Sequence, residues 1–150
     1  MASLKKYLKK KGFVPIKMYR TGTDHFEVEA RINNVPGRFI VDTGASNTCV
    51  AQEMAERFSL VSEPDEVKAA GAGAIDMEAR ISSENSIQVG GWKRKKWPVV
   101  LFDLSHVNHA LTSQESGAID GIIGADILKK GRAVIDYKKK MLYLKKPKSS

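Results

Sequence analysis

Between Phe26 and Ile32 the chain alternates strictly: Phe26, Val28, Ala30 and Ile32 are apolar, while Glu27, Glu29 and Arg31 are charged. A period of two is the signature of a half-buried strand, so a β-strand is predicted there. Asn33-Asn34-Val35-Pro36-Gly37 has turn chemistry, and Arg38 to Val41 is the return strand. Upstream, Ser3 to Lys11 places Leu4, Tyr7 and Leu8 on one side of a short amphipathic helix that needs docking to be stable. Phe13 to Arg20 reads as extended, with Pro15 favouring a sheet edge because proline cannot donate to a ladder. Downstream, Ala51 to Phe58 has helical spacing, with Met54, Ala55 and Phe58 on one face. Val67 to Ile81 bends near Gly71 and Gly73, then alternates through Ile75, Met77, Ala79 and Ile81. Ser86 to Val89 and Trp97 to Leu104 are further strands on either side of the turn Gly90-Gly91-Trp92. Ala125 to Lys130 is a short helix capped by Gly131, and Ala133 to Tyr137 forms a closing hairpin with Met141 to Leu144. Many short strands separated by turns predict an all-β, barrel-like fold with small helices.

The chain has 150 residues, the size of a single domain, and an apolar share of 42% can build a core without disulfide help. Its one cysteine, Cys49, allows no intrachain disulfide and gives no sign of an oxidising compartment. Lying in Thr48-Cys49-Val50-Ala51, it reads as a small buried thiol rather than a nucleophile. No run of eighteen apolar residues exists, so no membrane span is expected. The N-terminal lysines are followed by no apolar stretch of the secretory kind, and a cytoplasmic location is the expectation.

The formal charge of +8 is concentrated at Lys5 to Arg20, at Lys93-Arg94-Lys95-Lys96, and from Lys138 to Lys148. Such patches can attract nucleic acid, acidic protein or anionic lipid. They lack the interleaved aromatics of nucleic-acid platforms, so they read as solvated hairpin loops and tails, and nucleic acid is not the expected partner. His106 and His109 are three apart with neither a Glu between them nor a third ligand, and His25 is isolated, so no metal site is predicted.

Chemistry enters at Asp42-Thr43-Gly44, which follows the apolar run Phe39-Ile40-Val41 and precedes Ala45-Ser46. Alone, the tripeptide reads as an acidic turn at a strand end. Further along, Ala118-Ile119-Asp120-Gly121-Ile122-Ile123-Gly124-Ala125-Asp126 joins two β-branched residues to a glycine and a helical start. With both motifs in this order, the chain resembles the retropepsin-like aspartic proteases, most closely their bacterial single-domain members. The resemblance runs from about Phe26 to Leu144. It implies one retropepsin-like domain, a closed β-barrel of the acid protease fold, over 24–146. Residues 1–23 would be a basic N-terminal extension and 147–150 a C-terminal tail.

The resemblance makes Asp42, Thr43 and Gly44 the catalytic tripeptide. Gly44 would let its N–H approach the carboxylate, Thr43 would brace the loop across a dimer, and Ser46 would bond the outer carboxylate oxygen. Ala45 and Ser46 would support the loop, with Ile122, Ile123 and Gly124 packed beneath it. Ala69 to Ile75 is the candidate flap, with Gly71, Ala72, Gly73, Ala74 and Ile75 as substrate-facing positions. Peptide hydrolysis of this kind needs two carboxylates sharing a proton, and the chain holds one Asp-Thr-Gly. Asp120 reads as a turn residue, Asp126 as an acid in the first turn of a helix and Asp136 as a strand-end polar group. The second carboxylate must then come from a second copy. The expected function is a homodimeric aspartic endopeptidase acting on peptide or protein substrates without metal or other cofactor. The alternatives are an inactive retropepsin-like domain that binds peptide or protein, and a basic adaptor for nucleic acid or membrane surfaces.

Overall fold

The computed structural model describes residues 3–68, 78–103 and 119–147. Helix α1 (Leu4–Lys10) precedes four strands: β1 (Phe13–Lys17), β2 (Tyr19–Arg20), β3 (Phe26–Ile32) and β4 (Val35–Val41). Strand β5 (Cys49–Ala51) runs into a single 3-10 turn, Gln52–Met54. Then come β6 (Ser62–Lys68), β7 (Glu78–Val89), β8 (Trp92–Phe102), β9 (Gly121–Ile123), helix α2 (Ala125–Lys130), β10 (Val134–Asp136) and β11 (Met141–Lys145).

Six strands close a barrel in the order β3-β4-β9-β5-β8-β7, with β7 returning to pair with β3. The hairpins β3–β4 and β7–β8 are antiparallel, whereas β4–β9 and β5–β8 are parallel. Closure pairs each barrel strand on both sides, and β2 and β6 are left as the ends of the sheet. The alternating residues Val28, Ala30 and Ile32 are fully buried, and Phe39, Trp92, Val99 and Ile123 fill the same core. At roughly 1.5–3 kcal/mol for each large apolar side chain buried, this core dominates stability. Exposed ion pairs such as Arg20–Asp24 contribute only about 0–1 kcal/mol each.

A second sheet, β1-β11-β10, joins the chain's early and late strands. Pro15 sits in β1 at its edge, where a missing N–H costs least. Val14, Ile16 and Met18 enter the main core, so β1 packs as part of the body.

Three local expectations change. The first hairpin turn is Asn33-Asn34 alone, because both adopt left-handed φ (51° and 68°), the geometry of a tight two-residue turn, and β4 therefore starts at Val35. The Asn33 side chain also donates to the Phe58 carbonyl (2.8 Å) and accepts from the Ser86 N–H (3.1 Å). Ala51 to Phe58 is not a regular helix. Ala51 belongs to β5, the 3-10 turn follows, and Ser59 at φ 56° ends the turns while Phe58 points fully inward. Lys93 to Lys96 is strand rather than hairpin loop, lying in β8 where its pairing with β7 shifts register, with Lys96 at φ 55°.

Candidate functional site

Strand β4 delivers Asp42 one residue beyond its end, where the Asp42 N–H donates to the Ile123 carbonyl over 3.0 Å. That bond continues the parallel β4–β9 pairing of Ile40 with Ile122 and Val41 with Ile123, and it fixes the backbone at the carboxylate. The chain then turns sharply, with Ala45 N–H donating to the Asp42 carbonyl (3.2 Å) and Gly44 N–H to the carboxylate oxygen Oδ1 (2.9 Å). A Cβ at Gly44 would stand 3.3 Å from that oxygen, so glycine permits the close approach. Asp42 is half-buried, while Thr43, Gly44 and Ser46 are exposed. Ser46 lies on this loop, but among the described residues the hydrogen bond to the carboxylate comes from Gly44.

Behind the loop, Ile122 and Ile123 are buried, the latter completely. Gly124 meets the loop backbone directly: a Cβ there would fall 2.6 Å from the Asn47 carbonyl and 2.9 Å from the Ala45 oxygen. The Ala125 N–H donates to that Ala45 oxygen (2.7 Å), tying the start of α2 to the loop. The sequence-predicted residues Asp42, Gly44, Ala45 and Ile122 to Gly124 thus come together. The candidate flap at Gly71, Ala72, Gly73, Ala74 and Ile75 lies outside the described residues, as do His106 and His109. The strands flanking that flap pair antiparallel, with Val67 opposite Ala79 and Lys68 opposite Glu78.

Sequence reasoning missed a polar bracket under the loop. Fully buried Thr48 accepts from the Gly124 N–H (3.1 Å) and donates to Oδ1 of Asp126 (2.7 Å). The other oxygen of Asp126 accepts the indole N–H of Trp97 (3.2 Å), and the Ile127 N–H also donates to Oδ1 (2.8 Å). Asp126 therefore does more than complement a helix dipole, since it fastens β8 and α2 to the loop. The sequence carried only a general signal, that a tryptophan indole placed in a core needs an acceptor.

The other acids are engaged as well. Buried Asp120 accepts the Arg38 N–H (2.9 Å) and faces the Arg57 guanidinium at 3.7 Å. It lines a cleft of about 710 Å³ with Tyr19, Glu27, Arg38 and Arg57, and Asp42 is not part of that cleft. Asp136 caps its turn by accepting from the Lys139 N–H (3.1 Å). Among the described residues no three His, Cys, Asp or Glu side chains are grouped to hold a metal ion. Cys49 is buried, and its thiol donates to the Asn47 carbonyl (3.0 Å). Burial first, then the negative charges of Asp126 and Asp42, push its pKa up to about 12, the opposite of an activated nucleophile.

Solved structures similar to this chain share its fold. The retroviral protease-like domain of Ddi1 from Leishmania major has 24% identity and a TM-score of 0.57, covering 79% of this chain and 86% of that one. A retropepsin-like aspartic protease from Rickettsia conorii has 22% identity and a TM-score of 0.57, covering 89% of each chain. The EIAV protease complexed with the inhibitor HBY-793 has 19% identity and a TM-score of 0.51, covering 69% of this chain and 84% of that one. No curated protein matches. A family model described as aspartyl protease matches residues 28–127, a span that contains the Asp42 loop, β9 and the first turn of α2, and the chain belongs to that family.

Proposed function

We propose that the protein is a homodimeric aspartic endopeptidase in which Asp42 of each copy supplies half of the catalytic pair. One observation carries this reading: Asp42 is held on a hydrogen-bonded, half-exposed turn, while Asp120, Asp126 and Asp136 are each committed to structural partners. Two like charges brought within a few ångströms cannot both ionise, so a juxtaposed pair keeps one proton. The ionised Asp42 takes a proton from a water between the two, and the protonated Asp42 polarises the peptide carbonyl. Water oxygen bonds to the carbonyl carbon. The tetrahedral intermediate then collapses: the carboxyl that took the water's proton gives it to the nitrogen, the C–N bond breaks, and a hydroxyl of the intermediate returns a proton to the pair, leaving one shared proton as at the start.

The support from neighbouring residues is mechanical. The N–H of Gly44 steadies each carboxylate, and the exposure of Thr43 leaves its hydroxyl accessible to a second copy. Substrate would be an extended segment of peptide or protein. With its single buried thiol, the chain suits a reducing compartment, and we place it in the cytoplasm.

The test is peptidase activity across acidic to neutral pH for wild type, Asp42→Asn and Asp120→Asn. Asp42→Asn preserves size and hydrogen bonding but removes the shared proton, so it should be inactive yet folded, while Asp120→Asn should retain activity. Activity in Asp42→Asn would overturn the assignment. A folded wild type that binds peptides and cleaves none would establish the binding-domain reading instead.

A further inference from the structure

We propose that helix α1, with the lysines that β11 brings beside it, is a docking surface for an anionic lipid bilayer. The helix is preformed although it has only seven residues. Ser3 caps it through its hydroxyl (3.1 Å from the Lys6 N–H), Lys11 N–H closes its far end, and buried Leu8 anchors it to the body. Leu4 and Tyr7 lie on the same side of the helix as Leu8, at the rim of that contact, and the lysines take the outward side. Leu4 is 45% and Tyr7 is 55% exposed, two of the five large apolar side chains left exposed among the described residues. Lys5, Lys6, Lys9, Lys10 and Lys11 surround them, all exposed.

The fold adds charge from the far end of the sequence. Strand β1 pairs with β11, setting Phe13 opposite Lys145, and the Lys146 N–H donates to the Gly12 carbonyl directly after the helix (2.9 Å). The Lys145 ammonium lies 5.9 Å from the centre of the Phe13 ring. Trp92, at the head of the basic segment of β8, donates its indole N–H to the Lys145 carbonyl (3.0 Å), so the exposed Lys93 belongs to the same end of the molecule. Neither residues 1–23 nor residues 137–150 contain an Asp or Glu, so both segments carry positive charge alone.

Charge complementarity selects the occupant. Several lysines around two exposed apolar side chains match a bilayer interface, where ammonium groups meet anionic headgroups and the apolar groups enter the acyl boundary. Nucleic acid would use the charge but would leave Leu4 unused. No helix among the described residues is long and apolar enough to cross a membrane, so the attachment would be peripheral.

Flotation of the full chain with vesicles of phosphatidylcholine alone, or with added phosphatidylserine, tests the proposal. Binding to the serine-lipid vesicles should be at least about tenfold tighter and should weaken with salt. A variant carrying Lys5→Gln, Lys6→Gln, Lys9→Gln and Lys10→Gln should fall to the phosphatidylcholine level. The Leu4→Ser/Tyr7→Ser variant should lose severalfold at unchanged lipid composition. Melting curves matching wild type confirm that these exposed substitutions leave the fold intact. Failure to prefer anionic vesicles, or binding indifferent to Leu4 and Tyr7, overturns the proposal. Binding to a single-stranded homopolymer without vesicle binding would assign the surface to nucleic acid. Loss of self-association in Leu4→Ser/Tyr7→Ser without vesicle binding would assign it to a second copy.

Discussion

The hydroxyl of Thr48 donates to Oδ1 of Asp126 over 2.7 Å, joining the loop that follows Asp42 to the first turn of α2. Through the same carboxylate, Trp97 ties in β8. Asp126→Ala would leave the Thr48 hydroxyl and the Trp97 indole without their acceptor, at a cost of about 1–3 kcal/mol for each buried group left unsatisfied. Denaturant melts should show that loss, with a parallel fall in peptidase activity as the loop loosens. Asp126→Asn keeps an acceptor oxygen and should be milder in both measurements.

Gly124→Val should be strongly destabilising. Even the first carbon of its side chain would stand 2.6 Å from the backbone of Asn47, and backbone cannot swing aside as a side chain can. Overpacking of this kind costs roughly 1–3 kcal/mol or more. Thermal denaturation is the measurement, and a melting temperature equal to wild type would contradict the contact.

Cys49 gives stability a particular dependence on alkaline pH. Its thiol has a folded pKa of about 12 against an ordinary 9.0, so the folded state holds the proton more tightly than the unfolded state. Between those values the unfolded chain binds fewer protons, and stability falls as pH rises. The contribution is fully present below about pH 9 and lost on the way to about pH 12. Comparing melting temperatures at neutral and alkaline pH, wild type should lose more than Cys49→Ala, because the buried thiol is the one difference between them.

A site split between two copies predicts that specific activity falls on dilution. Excess Asp42→Asn should poison wild type by forming mixed dimers with one proper carboxylate. Since the lysine-rich segments would repel their copies, moderate salt should screen that repulsion and strengthen association. Sedimentation alongside the assay checks both points; activity linear in concentration and untouched by the mutant would contradict the split site.

Much of the site was legible because its signals are local. The alternation in β3, the apolar run into Asp42 and the Ile122-Ile123-Gly124 segment each carry their pattern within a few residues, and the fold joins them as expected. The length of the first turn was not legible, since asparagine tolerates left-handed φ without announcing that it will adopt it. Asp126 was harder still: its partners Thr48 and Trp97 come from distant parts of the sequence, and only the closed barrel makes them neighbours. For the same reason β1 showed its extended pattern and its proline but not its partner, which lies at the other end of the domain.

That partnership sets the timetable of synthesis. Among the described residues β1 pairs with β11 alone, so Val14 and Ile16 emerge from the ribosome early and wait until residues 141–145 are made. The barrel strands can associate before then, but β1 gains its strand partner only when β11 is available. A chain stalled before Met141 would display an unpaired apolar strand beside a lysine-rich helix, a target for chaperone or protease. Completion of the sheet thus reports that translation has passed β11.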